Sequence, residues 1–445
     1  MLGSAVMEAL RRARLDGQVV GPDDREYDRL RRVYNAVIER RPAAIVQPES
    51  PADVQTVVRI AADSALPLAI RCGAHSFAGL GTCDRGIVCD LSAMRSVRVD
   101  PGMRTVDVDG GALLGDVDAA GQPFGLVTPA GVVSHTGVGG LTLGGGMGYL
   151  SRRFGLTIDS LIEADIVTAD GGRSRVAASE QPELFWAIRG GGGNFGVVTR
   201  FRFRMHELGP ALIRRWIHPA ASTADTLRRY RDAAATADRA LTTALLVERD
   251  ELQIRAIWSG STTGGEAAVD AFAFLGGRQD ARTDMSFIEL QRTSDELLSW
   301  GRRYYSKGGF LAEMDDRVIE VMAGSIAEMP IPGLEVYCLQ LGGAITDVDD
   351  DATAYSGRTA AFYWISQGVW DSPDDDERAI VWCRQTARRL GELSMNANYV
   401  NEQADTGVAR TSYGDSKYRR LAHIKWRYDP TNLFHLNQNV EPIRP

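Results

Sequence analysis

Glycine is concentrated in three short loops of this 445-residue chain, which holds 47 glycines in all. The loops are residues 71–79 (RCGAHSFAG), 137–148 (GVGGLTLGGGMG) and 190–196 (GGGGNFG). Glycine has no Cβ and accepts positive φ angles, so the amides of such a loop can turn toward a phosphate group. A single loop of this kind is usually an ordinary tight turn. Three of them in one half of the chain predict a site for a phosphate-bearing ligand.

The third loop also matches the G-x-G-x-x-G pattern through Gly191, Gly193 and Gly196. That pattern binds a dinucleotide where it opens a helix. Residues 197–205 follow here instead, and they alternate apolar residues with arginines, as a half-exposed strand does. A nicotinamide-binding Rossmann domain is therefore disfavoured. A Walker loop, HExxH and GxSxG are absent, which disfavours nucleotide hydrolases, zinc proteases and serine hydrolases.

The first loop follows a predicted strand–helix–strand unit. Residues 44–47 read as a strand, and Ser50 and Pro51 then begin a helix, because serine is a favoured N-cap and proline suits the first helical position. The second strand, residues 66–71, leads directly into the loop that contains His75. The sequence therefore places His75 just beyond the end of a strand.

Beyond about residue 210 the glycine runs stop and a different pattern begins. Helices are predicted at 225–238, 285–301 and 376–391, and strands at 243–248, 252–258 and 334–341. This mixture predicts a second domain of antiparallel sheet covered by helices. We therefore expect an α+β chain divided into residues 1–207, 208–395 and 396–445.

Composition and charge exclude several classes of protein. The net charge of −8 opposes binding to nucleic acid, and the basic stretch 417–427 has Tyr418, Leu421 and Ile424 at helical spacing, which predicts the solvated face of a helix. No apolar run reaches ~18 residues, so no membrane helix is expected. Arginines at positions 11–12 interrupt any signal-peptide core. The five scattered cysteines favour a cytoplasmic setting, and no metal site is predicted.

Four motifs, taken in order, resemble one known family. They are R-C-G-A-H-S with F-A-G, the long run T-G-V-G-G-L-T-L-G-G-G-M-G-Y-L-S-R-R-F-G-L-T-I-D-S-L, R-G-G-G-G-N-F-G-V-V, and the closing N-Y-V-N and Y-D-P-T-N-L-F-H-L-N-Q-N. From about residue 41 to 442 the chain is similar to FAD-linked oxidases of the vanillyl-alcohol-oxidase (PCMH-type FAD-binding) fold, in the berberine-bridge-enzyme-like branch. The resemblance implies an FAD-binding domain at 1–207, a substrate-binding domain at 208–395, and a C-terminal segment, 396–445, that returns to the FAD domain.

The resemblance also implies the cofactor site. His75 would bond covalently to the flavin 8α carbon, residues 71–76 and 134–148 would wrap the pyrophosphate and ribityl chain, and residues 194–198 would line the adenine side. The implied cofactor-binding residues are Arg71, Cys72, Gly73, Ala74, His75, Ser76, Gly79, Ser134, His135, Thr136, Gly137, Gly139, Gly140, Leu143, Gly144, Gly145, Gly146, Gly148, Tyr149, Asn194, Gly196, Val198, Tyr399, Asn437 and Asn439. Alanine at position 74, where the family often has glycine, is expected to be tolerated.

Two departures from the family change the expected chemistry. Many relatives attach FAD a second time through a cysteine, but Val133 stands at that position, so we expect a single covalent link. The family's usual carboxylate base falls at Leu339, whose strand neighbours Tyr337 and Glu335 share its face.

Phenols are then the candidates for the proton acceptor, since a phenol accepts a proton if a neighbour lowers its pKa. Tyr399 is the first candidate and Tyr337 the second. Tyr305 and Lys307 lie in a segment, 302–307, that resembles the family segment reaching toward the flavin.

The expected activity is that of an FAD-dependent oxidase. It would take a hydride from a C–H bond next to a hydroxyl or amine of a small organic molecule, in natural-product tailoring or catabolism, and return the electrons to oxygen as hydrogen peroxide. The alternatives are a flavin dehydrogenase with another acceptor, an oligosaccharide oxidase of the same fold, and a flavin-bound cyclase with no net redox. The sequence predicts neither the substrate nor the oligomeric state.

Overall fold

The N-terminal part of the molecule contains two separate sheets. The computed structural model describes residues 2–280 and 283–444. The first sheet has the spatial strand order Gln18–Val20, Ala44–Gln47, Ile87–Asp90 and Leu68–Arg71, and its last three strands are parallel. The second sheet is antiparallel, in the order Val97–Asp100, Thr105–Asp109, Val197–Arg204, Leu161–Val167 and Arg173–Ala177.

The helix Pro51–Ser64 forms where the sequence predicts it. The Ser50 hydroxyl accepts a hydrogen bond from the amide of Asp53, and proline occupies the first turn. Its apolar stripe is buried against the first sheet. The strand that follows begins at Leu68 rather than at residue 66, because Pro67 has no N–H to donate to a ladder. This strand ends at Arg71 and delivers the His75 loop to the edge of the sheet.

Short helices connect these strands. They are Leu2–Arg12, Tyr27–Leu30, Leu114–Gly121, Val138–Leu143, Ser151–Phe154, Thr157–Ser160 and Pro182–Ile188. A two-stranded ladder joins Leu126–Val127 to His206–Glu207.

The second half of the chain forms one large antiparallel sheet. Its strand order is Arg278–Gln279, Ala211–Pro219, Glu251–Trp258, Leu241–Glu248, Leu334–Gln340, Phe362–Trp370 and Arg303–Leu311, and Thr283–Met285 also pairs with Ala211–Pro219. The helices of this region are Thr223–Ala234, Thr262–Asp270, Phe287–Gln291, Asp316–Ile326 and Asp376–Gly391. Residues of four of them, at 223–234, 262–270, 316–326 and 376–391, pack with the sheet in a single apolar core. The sheet face away from these helices borders the cleft described below.

The predicted helix 285–301 is wrong over most of its length. Only Phe287–Gln291 is α-helical, and the rest forms turns. The Asp295 carboxylate accepts hydrogen bonds from the amide and hydroxyl of Ser134, which ties this segment to a loop of the first half. This tertiary contact, rather than further helical hydrogen bonds, holds the residues that follow Gln291.

The C-terminal segment packs on the N-terminal part. The helix Ala409–Tyr428, kinked at Gly414, buries Leu421 and Ile424 in the core of the second sheet. The division of the chain at 207/208 and 395/396 stays a prediction. No helix in the described ranges has the length and hydropathy to cross a membrane, and those ranges contain no cluster of three metal-ligating side chains.

The predicted solvated face of this last helix is wrong for two of its lysines. Lys417 is buried and donates to the carbonyls of Asp350 and Tyr355. Lys425 is 0 % exposed and pairs with Asp429, also 0 % exposed, at 2.6 Å. The Lys425 ammonium also donates to the carbonyls of Asn194 and Phe434. These charges hold the C-terminal segment against the third glycine loop.

Replacing Lys425 with methionine leaves the Asp429 charge buried without its partner. We expect the free energy of unfolding to fall by about 3–5 kcal/mol, as breaking a buried ion pair does. Arg427→Met, on the exposed side of the same helix, is the control and should stay within about 0.5 kcal/mol of wild type. Denaturant unfolding measures both, and equal stability of the two variants would contradict the structural role of Lys425.

Candidate active site

A cleft of about 350 Å³ lies between the glycine loops and the free face of the large sheet. The following predicted site residues line it: Arg71, Cys72, Gly73, Ala74, His75, Ser76, Thr136, Gly137, Gly139, Gly140, Leu143, Tyr149, Gly196, Val198, Tyr337, Tyr399 and Asn437. The other predicted residues do not line it: Gly79, Ser134, His135, Gly144, Gly145, Gly146, Gly148, Asn194, Asn439, Tyr305 and Lys307. The structure thus gathers residues of all three glycine loops at one cleft.

The first and second loops touch through their backbones. A Cβ built on Gly73 would lie 2.2 Å from the amide nitrogen of Gly137, and a Cβ on Gly137 would lie 2.3 Å from the amide nitrogen of Gly73. Real Cβ atoms do not approach backbone this closely, so glycine is required at both positions. The contact fixes the His75 loop relative to the helix that begins at Val138.

The His75 loop presents unpaired backbone donors to the cleft. The amides of Ala74, His75, Ser76 and Phe77 make no hydrogen bond to another residue in the described ranges, yet all four residues line the cleft. Buried amides are nearly always paired, so a run of free ones indicates an acceptor supplied by a ligand. Ala74 has φ 53°, in the left-handed region that favours glycine. Alanine is present at position 74 as expected, but its backbone conformation there costs about 1–2 kcal/mol.

His75 is held between aromatic rings and a second histidine. Its ring stacks on Tyr34 with centroids 3.8 Å apart, and Tyr34 stacks in turn on Tyr304 at 4.2 Å. The Nε2 of His75 lies 2.7 Å from Nδ1 of His135. Burial, together with His135, lowers the pKa of His75 to about 3. The imidazole is therefore neutral at physiological pH and has a lone pair available for bonding.

The guanidinium of Arg71 is already engaged. It pairs with Asp90 at 2.6 Å, and both side chains are about 5 % exposed or less. Arg71 therefore ties the ends of two neighbouring strands together. Cys72 donates its S–H to the carbonyl of Ala112, and burial raises the pKa of its thiol to about 11, so it is not a thiolate at neutral pH.

The glycines at 144–148 make room for the C-terminal segment. A Cβ on Gly144 would strike the side chain of Asn401 at 2.2 Å, and one on Gly145 would strike the ring of Tyr355 at 2.5 Å. The amide of Gly146 donates to the hydroxyl of Tyr399 at 3.2 Å. Gly144 and Gly146 therefore seat the segment that carries Tyr399, Gly145 makes room for Tyr355, and none of the three lines the cleft.

Four other predicted residues also position neighbouring chain segments. Asn194 donates to the carbonyls of Gly191 and Gln438 and accepts from the amide of Val440, which secures the C-terminal chain. Gly79, at φ 68°, closes the turn after Ser76, and Ser134 is bound by Asp295. Gly148, like these, faces the protein interior, where a Cβ would meet a carbonyl.

Two asparagines at the C-terminus carry buried carbonyl oxygens without a partner among the described residues. They are Oδ1 of Asn437, which lines the cleft, and Oδ1 of Asn439. Asn437 also donates from Nδ2 to the carbonyl of Phe434. The orphaned oxygen of Asn437 is therefore available to a ligand in the cleft.

The opposite wall is formed by alternating residues of the large sheet. Glu335, Tyr337 and Leu339 share the cleft-facing side of one strand, as the alternation predicts. Across the ladder, Leu339 pairs with Tyr363 and Glu335 pairs with Gln367, which donates to the Glu335 carboxylate. Position 339 thus faces the cleft with a hydrocarbon side chain.

The two candidate phenols differ in their surroundings. Tyr399 accepts hydrogen bonds from Gly146 N and from Asn401 Nδ2 at 3.0 Å, whereas the hydroxyl of Tyr337 has no partner among the described residues. Burial raises the pKa of both phenols above the ordinary value. Tyr399 is better placed because its donors partly offset that effect.

Tyr305 and Lys307 belong to a different cluster. Both bind the Asp405 carboxylate, Lys307 at 2.8 Å, and Arg384 joins the same group. Neither lines the cleft. Their contacts hold the strand Arg303–Leu311 to the C-terminal segment, and the structure gives them no contact with the cleft residues proposed for chemistry.

Among the cleft residues that were not foreseen from the sequence, three carry ionisable side chains next to one another. Tyr34 and Tyr363 line the cleft as buried phenols, and Glu402 lines it as a carboxyl. No motif contains Tyr34 or Tyr363. Glu402 directly follows the N-Y-V-N motif, and that position was the available signal.

Comparisons with known proteins agree with this geometry. Residues 42–177 match the family model of an FAD binding domain, and residues 397–441 match the berberine and berberine-like model. An FAD-linked oxidoreductase of Dictyostelium discoideum is 31% identical over 436 residues, covering 97% of this chain and 96% of the relative. The (R)-6-hydroxynicotine oxidase of Paenarthrobacter nicotinovorans is 29% identical, covering 96% of this chain and 97% of its own.

Solved structures share the whole fold. The 6-hydroxy-D-nicotine oxidase of Arthrobacter nicotinovorans has a TM-score of 0.88 at 27% identity, over 96% of this chain and 98% of that one. A berberine-bridge-like protein of Physcomitrella patens has a TM-score of 0.90 at 21% identity, over 99% of each chain. The protein is therefore an FAD-dependent oxidoreductase. It belongs to the berberine-bridge-enzyme-like FAD-linked oxidases of the PCMH-type fold.

The residues present fit FAD. The unpaired amides of residues 74–77 offer donors for its pyrophosphate. Gly140 and Gly193 line the cleft, and a Cβ on either would project into open space. Together with neutral His75 and the free oxygen of Asn437, these features form a cradle for a long cofactor.

Gly137→Ala should disturb this cradle by breaking the backbone contact between the first two glycine loops. Its Cβ would collide with backbone, so we expect a loss of about 1–3 kcal/mol or more in the free energy of unfolding, as in overpacked cores, together with reduced FAD content. Gly209→Ala is the matched control, because its Cβ meets nothing within 4 Å and Gly209 does not line the cleft. Thermal unfolding and flavin-to-protein absorbance ratios measure both, and an unperturbed Gly137→Ala would show that the loop contact is dispensable.

Proposed function

We propose that the chain is an oxidase that holds one FAD covalently through His75 and removes a hydride from a carbon bearing a hydroxyl or amine. The observation that carries the proposal is the position of His75, a neutral imidazole beside unpaired amides and across the cleft from the tyrosine-bearing wall. FAD supplies the two-electron acceptor, and the protein orients it.

The surroundings of His75 support a covalent bond to the flavin. A neutral imidazole is nucleophilic, and its pKa of about 3 keeps it neutral at physiological pH. The 2.7 Å contact with His135 offers a proton acceptor for the ring that forms the bond. A glucooligosaccharide oxidase of Acremonium strictum, with a TM-score of 0.89, is described as carrying a 6-S-cysteinyl, 8α-N1-histidyl FAD.

A second covalent link is not part of the proposal. Val133 lines the cleft where many relatives have the second cysteine, and its side chain is hydrocarbon. Cys72 also lines the cleft, but its pKa of about 11 keeps it a thiol. All five cysteines are free, which suits the reducing cytoplasm that we propose as the enzyme's location.

The large-sheet wall supports a small organic substrate. It presents Leu339 and Ile365 as apolar contacts, the hydroxyl of Tyr337, and farther along the carboxyl of Glu335. The ring of Tyr399 packs against Tyr363 of this wall, with centroids 5.8 Å apart, and two donors orient its oxygen. This arrangement gives a polar edge and an apolar floor, as small-molecule sites commonly have.

The covalent bond is tested by denaturation in acid. Wild-type protein should precipitate with its yellow colour in the pellet, whereas His75→Ala should release the colour to the supernatant. His423→Ala, an exposed histidine of the last helix, is the control and should behave as wild type. A coloured His75→Ala pellet would contradict the attachment site, and a colourless wild-type pellet would contradict any covalent link.

The oxidase activity is tested with an oxygen electrode. We expect substrate oxidation to consume oxygen and release hydrogen peroxide in equal amounts, because reduced flavin returns its two electrons to oxygen. Probe substrates are (R)-6-hydroxynicotine, benzylamine, benzyl alcohol and xylobiose. Turnover that requires an artificial acceptor would identify a dehydrogenase, and a flavin that no probe bleaches under anaerobic conditions would favour a cyclase without net redox.

A further inference from the structure

The carboxyl that the large-sheet wall presents to the cleft, Glu335, already accepts a hydrogen bond from the side-chain amide of Gln367. Position 339 is leucine, and burial raises the pKa of the phenols of Tyr337, Tyr363 and Tyr399. These phenols are therefore protonated in the range where most enzymes work. Oxidation of a hydroxyl or amine nevertheless requires that the O–H or N–H proton leave as the hydride leaves carbon.

Glu402 enters the same cleft from the C-terminal segment. It ends the single turn Val400–Glu402, directly after Tyr399, and it lines the cleft. Its backbone is fixed, because its amide donates to the carbonyl of Tyr399 and its carbonyl accepts from the hydroxyl of Ser306 at 3.1 Å. The side chain is therefore presented by a rigid element.

The Glu402 carboxyl has no partner of its own. Within residues 2–280 and 283–444 it makes neither a hydrogen bond nor an ion pair through its side chain, although it is only partly exposed. Lys307, on the strand whose Ser306 binds the Glu402 carbonyl, is paired with Asp405 at 2.8 Å. A partly buried carboxyl without a partner is costly, and such groups concentrate at functional sites.

The groups that face Glu402 come from three elements. Tyr34 lies between two strands of the first sheet, Gln18–Val20 and Ala44–Gln47, Tyr363 lies on the large sheet, and Tyr399 lies one turn back along the chain. Burial raises the pKa of all three phenols, and the charge of Glu402 raises it further. No cation acts on Glu402, and burial alone raises its pKa to about 7. The carboxyl therefore changes its charge near neutral pH.

We propose that Glu402 is the proton acceptor of the reaction, taking the place of the strand carboxylate that is absent at Leu339. The proposal deepens the proposed function and rests on it. The O–H or N–H proton of the substrate passes to a Glu402 carboxylate oxygen, the C–H hydrogen leaves with its electron pair to bound FAD, and the carbon forms a double bond to oxygen or nitrogen. Oxygen then takes up the two electrons and two protons as hydrogen peroxide.

The test compares Glu402→Gln with wild type and with Glu248→Gln as a matched control. Burial raises the pKa of Glu248 to about 7 as well, but Glu248 does not line the cleft. Anaerobic stopped-flow measures flavin reduction by whichever of the four probe substrates bleaches wild type. We expect a roughly 100-fold or larger loss for Glu402→Gln at pH 8, as for removal of a general base, and little change for Glu248→Gln.

The pH profile separates Glu402 from the phenols. The ionised form of Glu402 is the active one, so wild-type reduction should rise with pH and level off above about pH 7. This rise of the reduction rate with pH should be absent in Glu402→Gln and present in Glu248→Gln. If the rate of flavin reduction rises only at alkaline pH, and this rise is absent in Tyr399→Phe, the proposal is overturned and the phenol of Tyr399 is the proton acceptor.

A second readout needs no substrate. The visible absorption of the holoenzyme, titrated from pH 5 to 9, should show a flavin perturbation with a midpoint near 7 in wild type and Glu248→Gln but not in Glu402→Gln. A transition that survives in Glu402→Gln, or its absence in wild type, overturns the proposal. If instead no probe reduces wild type while the transition behaves as expected, the assignment of the activity fails and the placement of Glu402 holds.

Discussion

The contact between the backbones of Gly73 and Gly137 is the constraint on which the site depends. The two glycines belong to loops that are 64 positions apart and reach the cleft from different sheets. Because neither carries a Cβ, the two chains lie against each other, and a methyl group on either would overlap the other's amide. The contact fixes the position of His75 in a loop that lines the cleft and whose amides at residues 74–77 make no hydrogen bond to another residue in the described ranges.

The second structural requirement is that the C-terminal segment return to this cradle. Buried charge secures the return. Lys425 and Asp429 form a fully buried pair that also binds Asn194 and Phe434, and Arg71 with Asp90 forms another beside the His75 loop. Replacing such pairs with apolar residues is often neutral, so their value lies in orientation as much as in stability. Each pair fixes a segment that carries residues of the cleft.

The sequence predicted the parts of the fold that local chemistry determines. Ser50 and Pro51 set a helix start, and the glycine loops marked the cofactor side of the cleft, because these residue types have few alternative uses. Helix 285–301 was overpredicted, since the bond from Ser134 to Asp295 is a long-range contact that no local pattern reveals. Lys425 was misassigned for the same reason, because its acceptors lie on distant loops.

The same limit applied to the site. Tyr34 could not be found from the sequence, because it acts only by stacking between His75 and Tyr304 in three dimensions. Tyr305 and Lys307 were expected near the flavin, but both side chains bind the Asp405 carboxylate instead.

The electrostatic balance of the cleft follows from these pairings. Arg71 is neutralised by Asp90 and Lys307 by Asp405. Burial raises the pKa of Glu335, and the hydrogen bond from Gln367 and the charge of Arg255 partly offset that rise. Glu402 has no such neighbour. When it ionises, the surplus charge at its end of the cleft is negative. Loss of a hydride leaves positive charge on the substrate carbon, and a carboxylate nearby stabilises that change as well as accepting the proton. A phenol held protonated by burial would do neither at neutral pH.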